Sequence, residues 1–231
     1  MKKSTPDSRA PNPAARRRTP APARGPADNS APLLILISAP SGGGKTTLCD
    51  MLLGARAHMT RAVTCTTRAP RAGETEGVDY YFLEAGNFLK RLQAGNFLEH
   101  ATVYGNSYGL LKSELLGKLR EGKDVLLNVD VQGAATLREK ALEDPELSRA
   151  LVTVFLTPPS IEVLEQRLKR RGSDDPATIK KRLGVARQEI AQWKNFNYLL
   201  ISTSKQEDLR RMLAIVETEK MRGARSQPPA F

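Results

Sequence analysis

The residues best suited to chemistry lie in one run, Ala39-Pro40-Ser41-Gly42-Gly43-Gly44-Lys45-Thr46-Thr47. Glycines at this density let the backbone curl until consecutive N–H groups point at shared oxygens, which is how a loop holds phosphate. Lys45 then reaches the β- and γ-phosphates, and the Thr46 hydroxyl can ligate Mg²⁺. Such a loop needs a strand before it and a helix behind it. Leu33–Ser38 is a short aliphatic strand, and Leu48, Leu52 and Leu53 follow at helical spacing, so a helix N-terminus adds positive potential at the loop. The first glycine of the G-x-x-x-x-G-K-[ST] pattern is replaced by Ala39. ATP or GTP binding by residues 39–47 is the expectation; a Gly-rich turn without a ligand is the alternative.

A second cluster follows in Thr66-Thr67-Arg68-Ala69-Pro70-Arg71-Ala72-Gly73-Glu74, Gly77-Val78-Asp79-Tyr80-Tyr81-Phe82, Phe97-Leu98-Glu99-His100-Ala101 and Gly105-Asn106-Ser107-Tyr108-Gly109. Two arginines three residues apart, beside tyrosine hydroxyls, can clamp a phosphate monoester through charge-assisted hydrogen bonds. Arg68, Arg71, Tyr80 and Tyr108 are the candidates, while Tyr81 and Tyr104 are expected to pack. Further on, strand alternation in Val125–Asp130 puts Asn128 and Asp130 on one face, at the carboxyl edge where α/β proteins bind ligands.

The elements that must position these groups can also be read. Leu33–Ser38, Ala62–Thr66, Val125–Asp130, Leu151–Leu156 and Tyr198–Ser202 are short and mostly aliphatic, as strands covered on both faces are. Helix starts are marked by Ser160 before Ile161, by Asp175 with Pro176, and by Ser204 with Glu207 three residues on. The alternation predicts a three-layer α/β/α domain over 33–222 with a parallel core sheet. Residues 67–110, with strand-like Tyr80–Leu83 and Phe97–Tyr104, read as a small mixed α/β insertion.

The chain of 231 residues carries Lys+Arg 36 and Asp+Glu 25, a formal charge of +11. Residues 1–32 hold seven Lys/Arg against two Asp and seven of the 15 prolines, without Leu, Ile, Val or an aromatic residue. Such a tail is expected to be disordered, and it carries nearly half of the net charge. Its Arg16-Arg17-Arg18 run offers at most non-specific attraction for nucleic acid. Its Arg- and Ala-rich make-up leaves an organellar transit segment as a second reading, against which its prolines speak. Residues 223–231 are expected to be a flexible end. No apolar run is long enough for a bilayer. Two cysteines, Cys49 and Cys65, and two histidines, His58 and His100, form neither a disulfide framework nor a metal-ligand pattern. A cytosolic-type globular protein remains, acting on small anionic molecules as a monomer or homodimer.

Taken together, the phosphate loop, T-T-R-x-P-R-x-G-E and F-L-E-H-A resemble the guanylate kinase family of P-loop nucleoside monophosphate kinases, from about Leu33 to Met221. The resemblance implies that 67–110 binds GMP, that Glu99 accepts hydrogen bonds from the N1–H and amino group of guanine, that Thr64 also serves that base, and that Asp130 either orders water around the metal as a catalytic group or contacts the guanine amino group. It identifies residues 160–190 as a helical lid, with Arg171 and Arg182 supplying positive charge to the transferring group. It implies phosphorylation of GMP, and of dGMP, by ATP with Mg²⁺. Departures from the family pattern are Asn128 for Asp, Thr64 for Ser, Leu110 for Ser or Thr, and Ser202-Thr203 for the Asn-Asp near the adenine. Leu110 removes one expected guanine contact. Lys169 and Arg170 read as solvated helix face. Two other functions compete: a non-catalytic guanylate-kinase-like binding module, which the intact Lys45 argues against, and a kinase for another phosphorylated small molecule, which would not need Glu99.

Overall fold

The computed structural model describes residues 30–103, 105–171 and 175–226, except the side chains of Val103 and Arg171. The tail up to Asn29, the tyrosine at 104 and the last five residues lie outside the described residues. In chain order the elements are β1 Leu34–Ser38, α1 Lys45–Ala55, β2 Met59–Arg61, β3 Thr64–Thr66, β4 Tyr80–Phe82, α2 Ala85–Gln93, β5 Phe97–Val103, β6 Asn106–Leu111, α3 Lys112–Arg120, β7 Asp124–Asn128, α4 Val131–Glu143, α5 Pro145–Ala150, β8 Leu151–Thr157, α6 Ile161–Arg171, α7 Pro176–Ile190, β9 Tyr198–Ile201 and α8 Lys205–Lys220.

Five strands form an all-parallel sheet in the order β2-β7-β1-β8-β9. Alternation along β1 explains the layers. Leu34 and Leu36 pack with Leu115, Leu137 and Leu147 from α3, α4 and α5 on one face. Ile35 and Ile37 pack with Leu48 and Leu52 of α1 and with Met212 and Val216 of α8 on the other. Both faces are therefore covered, as the aliphatic strands demand. The expected helix starts are present: the side chains of Asp175 and Ser204 accept the N–H groups of Thr178 and Glu207.

One expected core strand lies elsewhere. Ala62–Thr66 does not join the core sheet; the segment before it, Met59–Arg61, pairs with β7 there, whereas Thr64–Thr66 belongs to a second sheet, β4-β3-β6-β5. The break falls where the Ala62 N–H turns to Leu126 O and the Val63 N–H to the Glu114 carboxylate. The mixed insertion thus starts at Thr64 and includes β6, pairing antiparallel with β3 and β5. Phe88, Phe97 and Cys65 give it a small core of its own. The chain beyond Met221 is also more ordered than the sequence suggests. Arg225 is 7% exposed, and its carbonyl accepts the Ala31 N–H at 2.8 Å.

At the amino-terminal edge of the core sheet the charges are buried in pairs. Asp124 accepts the Leu33 N–H and lies 3.1 Å from Lys220 Nζ. Glu219 meets Arg225, Arg222 and the Tyr198 hydroxyl, while Arg225 also donates to the carbonyls of Arg149 and Leu151.

Candidate active site

The opposite, carboxyl edge opens into a cavity of about 270 Å³ lined by residues 39–47 with Asp130 and Glu189. The loop that β1 feeds into turns through a Gly43 N–H bond to Pro40 O at 2.8 Å. Gly42 and Gly44 take φ of +87° and +99°, a region that disfavours side chains. Gly42 is further pinned, since a Cβ there would stand 2.9 Å from Leu168 Cδ2. Leu164 and Leu168 of α6 pack with Ile179 and Ala186 of α7, so the helix pair rests directly on the loop. Lys45 opens α1 and donates to Val129 O at 2.8 Å. Burial holds its ammonium below the usual lysine value, against the pull of Cys49, Asp130 and Glu189. Thr46 and Thr47 follow on the same helix and line the cavity.

Asp130 does not lie on the strand as alternation predicted. The strand ends at Asn128, and Asp130 caps α4, accepting from the N–H groups of Gln132 at 3.0 Å and Gly133 at 2.8 Å. Orphan N–H groups at a helix start attract a carboxylate more strongly than continued pairing would. Glu99 reaches the same helix end from β5: its Oε2 lies 3.0 Å from where a Cβ on Gly133 would stand. Burial, with Asp130 nearby, raises the Glu99 carboxyl above its usual range. Asp130 therefore lines the phosphate-loop cavity and acts on both Lys45 and Glu99.

The expected clamp is partly assembled. Arg68 stacks over Tyr80 at 5.5 Å, and the rings of Tyr80 and Tyr108 meet edge to face at 6.1 Å. The Arg68 guanidinium bonds both Glu74 oxygens, at 2.8 and 3.0 Å, and Glu74 also accepts the Arg71 N–H at 2.7 Å. That hydrogen-bonded pair raises the Arg68 pKa and lowers that of Glu74. The side chain of Arg71 is exposed at the edge of this loop. Thr64 pairs in register with Tyr80 across β3 and β4. Tyr81 packs, as expected, with its hydroxyl on Glu114 at 3.1 Å.

Leu110 lies opposite Glu99 in the register and is 0% exposed, packed with Leu98 and Leu115. It belongs to the core, so apolar packing takes the place of the hydrogen bond that the expected hydroxyl would make. Arg182 is half-buried on α7 with interactions of its own, and the Arg171 side chain lies outside the described residues.

Sequence reasoning missed three groups. Glu189 reaches from α7 to accept a backbone hydrogen bond at Ser41; its Oε2 is buried without a hydrogen-bond partner among the described residues, and burial raises its pKa. Its signal was the seven-residue spacing from Arg182, which places both on one helix face. Arg167 donates to Gly43 O at 3.2 Å and Ser202 Oγ at 3.1 Å. Arg170 is exposed, as its reading as solvated helix face expects, yet it lines with Arg167 a second cavity of about 360 Å³, which shares Gly44 and Thr47 with the first and is closed by Ser202, Thr203 and Asp208. The lysine at 169 is indeed on the outer face, 2.6 Å from Glu165.

The arrangement offers a phosphate cradle, an adjoining pocket of base size, and a carboxylate-bearing cleft with an arginine and two tyrosines. Comparisons with known proteins agree. The family model described as guanylate kinase matches residues 31–219. Guanylate kinase of Coxiella burnetii (strain RSA 493 / Nine Mile phase I) is 43% identical over 188 residues, 81% of this chain and 88% of that one. Guanylate kinase of Clostridium perfringens (strain SM101 / Type A) is 41% identical over 84% of this chain and 87% of its own. The crystal structure of guanylate kinase from Anaplasma phagocytophilum superposes with a TM-score of 0.64 at 31% identity, covering 85% of this chain and 90% of that one. With the family model matching residues 31–219 and these relatives 41–43% identical over more than four fifths of its length, this chain belongs to the guanylate kinase family.

Proposed function

We propose that this protein transfers the terminal phosphoryl group of ATP to GMP, giving ADP and GDP, and accepts dGMP as well. The observation that carries this reading is the position of Asp130, which joins the Lys45 cavity to the Glu99 cleft. Residues 39–47 hold the donor phosphates. Arg68, Arg71, Tyr80 and Tyr108 hold the acceptor phosphate, and Thr64, Glu99 and Asp130 read guanine. Only guanine among the common bases offers paired N1–H and amino donors beside a carbonyl, which suits a carboxylate acceptor. The attacking group is a phosphate oxygen that is already ionised, so no protein nucleophile is needed. ATP⁴⁻ and GMP²⁻ become ADP³⁻ and GDP³⁻. Positioning and positive charge do the rest, from Lys45, Arg171 and Arg182.

Mg²⁺ fits this chemistry, because Thr46, Asp130 and Glu189 bring hard oxygen donors to the phosphate cavity and Glu189 Oε2 is buried unpaired there. When bound, it would neutralise charge on the β- and γ-phosphates. Residues 33–222 form the catalytic unit in this reading, with the GMP insertion starting at Thr64 and α6–α7 as the lid. Among the described residues no helix is long and apolar enough to cross a membrane, and both cysteines are free and buried. These features support action on soluble nucleotides in a reducing cytosol. A coupled ADP-release assay across GMP, dGMP, IMP, AMP, CMP and UMP tests the proposal. Turnover confined to guanine acceptors is expected; equal turnover of AMP or UMP would overturn it.

A further inference from the structure

The cavity beside the phosphate loop is where the base of a bound donor must lie, since it shares Gly44 and Thr47 with the phosphate cavity. Adenine would present a 6-amino donor there. A 6-oxopurine presents O6 and N7 as neighbouring acceptors, an edge that arginine and lysine side chains satisfy well. Among the described lining residues, Arg167, Arg170 and Lys205 can only donate. Asp208 is the one carboxylate among them; it is 7% exposed and both of its oxygens are already engaged, accepting the Ser202 hydroxyl at 2.7 Å and the Thr203 N–H at 3.0 Å. Ser202 is spent too, because its proton goes to Asp208 while its oxygen takes Arg167 Nη2 at 3.1 Å. Thr203 and Ser204 contribute hydroxyls, which serve a donor or an acceptor alike. No side chain among them is committed to a 6-amino group.

We propose that this pocket does not select adenine, and that a 6-oxopurine nucleoside triphosphate, GTP or ITP, serves as phosphoryl donor alongside ATP. The proposal rests on the assignment of the phosphate loop as the donor site. Flat guanidinium groups stack on any purine, which favours binding without identity. With GTP the bond from Pγ to the bridging oxygen breaks and a bond from Pγ to a GMP phosphate oxygen forms. GTP⁴⁻ and GMP²⁻ then become two GDP³⁻ with no net proton. Run backwards, the same step converts GDP alone into GTP and GMP.

The test uses the purified full chain with Mg²⁺ and GMP, and compares kcat/KM for ATP, GTP and ITP. A second arm supplies GDP as the only nucleotide and follows GTP and GMP by ion-exchange chromatography. A site built to bond one base rejects another by about 10⁴-fold or more. The expected result is a GTP value within about 10²-fold of ATP, with GTP and GMP appearing together from GDP. A preference for ATP beyond that limit, or GDP left unchanged, overturns the proposal. Thr203→Asp should add the missing acceptor and widen the ATP:GTP ratio by about tenfold; an unchanged ratio would count against the pocket as the cause. If ATP and GMP react while GTP fails, only this inference falls. Failure with ATP as well removes the phosphotransfer reading beneath it.

Discussion

At the amino-terminal edge of the core sheet, Asp124 and Glu219 are 2% exposed and each is met by cations: Lys220 for one, Arg225 and Arg222 for the other. At the carboxyl edge, Lys45 rests on a neutral carbonyl, Glu189 has a buried oxygen without a partner among the described residues, and Glu99 faces another carboxylate. The same strands thus end in satisfied charge on one side and unsatisfied charge on the other. Burying an ion without its counter-ion is costly, and a protein that carries such groups does so where a ligand completes them. The first edge holds the fold together; the second is held open by it.

The sharpest way to test that contrast is to remove one member of a satisfied pair. Glu219→Ala leaves Arg225 buried without its anion, which should cost about 3–5 kcal/mol and lower Tm by roughly 6–20 °C in a chain of this size. The kcat of the folded protein, read well below Tm, should not change. Lys45→Ala should do the reverse. A loss of about 10²-fold or more in kcat, roughly 2.7 kcal/mol, is expected with Tm retained, because the lysine rests on a carbonyl and its burial already works against its charge. Full activity after this change would remove the cradle from the mechanism.

Leu110 sharpens the line between site and core. Placing Thr there should cost about 2 kcal/mol of stability through poorer packing and a buried hydroxyl, with no gain in GMP affinity; chemical denaturation and the GMP KM read the two effects. Glu99→Gln should raise the GMP KM by about tenfold while the ATP KM holds, since an amide offers one acceptor where the carboxylate offers two.

The smallest effect concerns pH. Glu99 and Glu189 both have carboxyls raised by burial above the ordinary 4.5. The folded protein therefore binds more protons than the unfolded chain as pH rises from that value through the raised ones, and stability falls across this window. Glu189→Gln should flatten the slope of Tm against pH there and raise Tm slightly at neutral pH. Unchanged slopes would mean that the carboxyl edge carries no electrostatic cost.

Most of the fold was legible because its signals are local. Aliphatic strands, the loop glycines and the caps at Asp175 and Ser204 need only neighbours in sequence to act. The departure of Thr64–Thr66 from the core sheet was hidden, since it depends on Leu126 O and Glu114 receiving two N–H groups from far along the chain. The site divides in the same way. Lys45 and Arg68 stand in dense motifs, whereas Glu189 and Arg167 act through contacts with Ser41, Gly43 and Ser202 that no motif contains. Asp130 was found for the right location with the wrong backbone, because alternation ignores a helix that begins at the next residue.

The strand order has a consequence for how the molecule is made. Leu34 pairs with Val125 on one side and with Leu151 on the other, so the central strand emerges first and both of its neighbours come much later. At about 5–20 residues per second, the nascent chain waits on the order of 10 s before β8 exists to flank β1. Until β7 emerges, Leu34–Ser38, buried at every position in the finished protein, has neither strand partner, and until β8 follows it has only one. Synthesis therefore favours a chaperone or the ribosome surface as a temporary cover for β1, and it ties productive folding to completion of the second half of the chain.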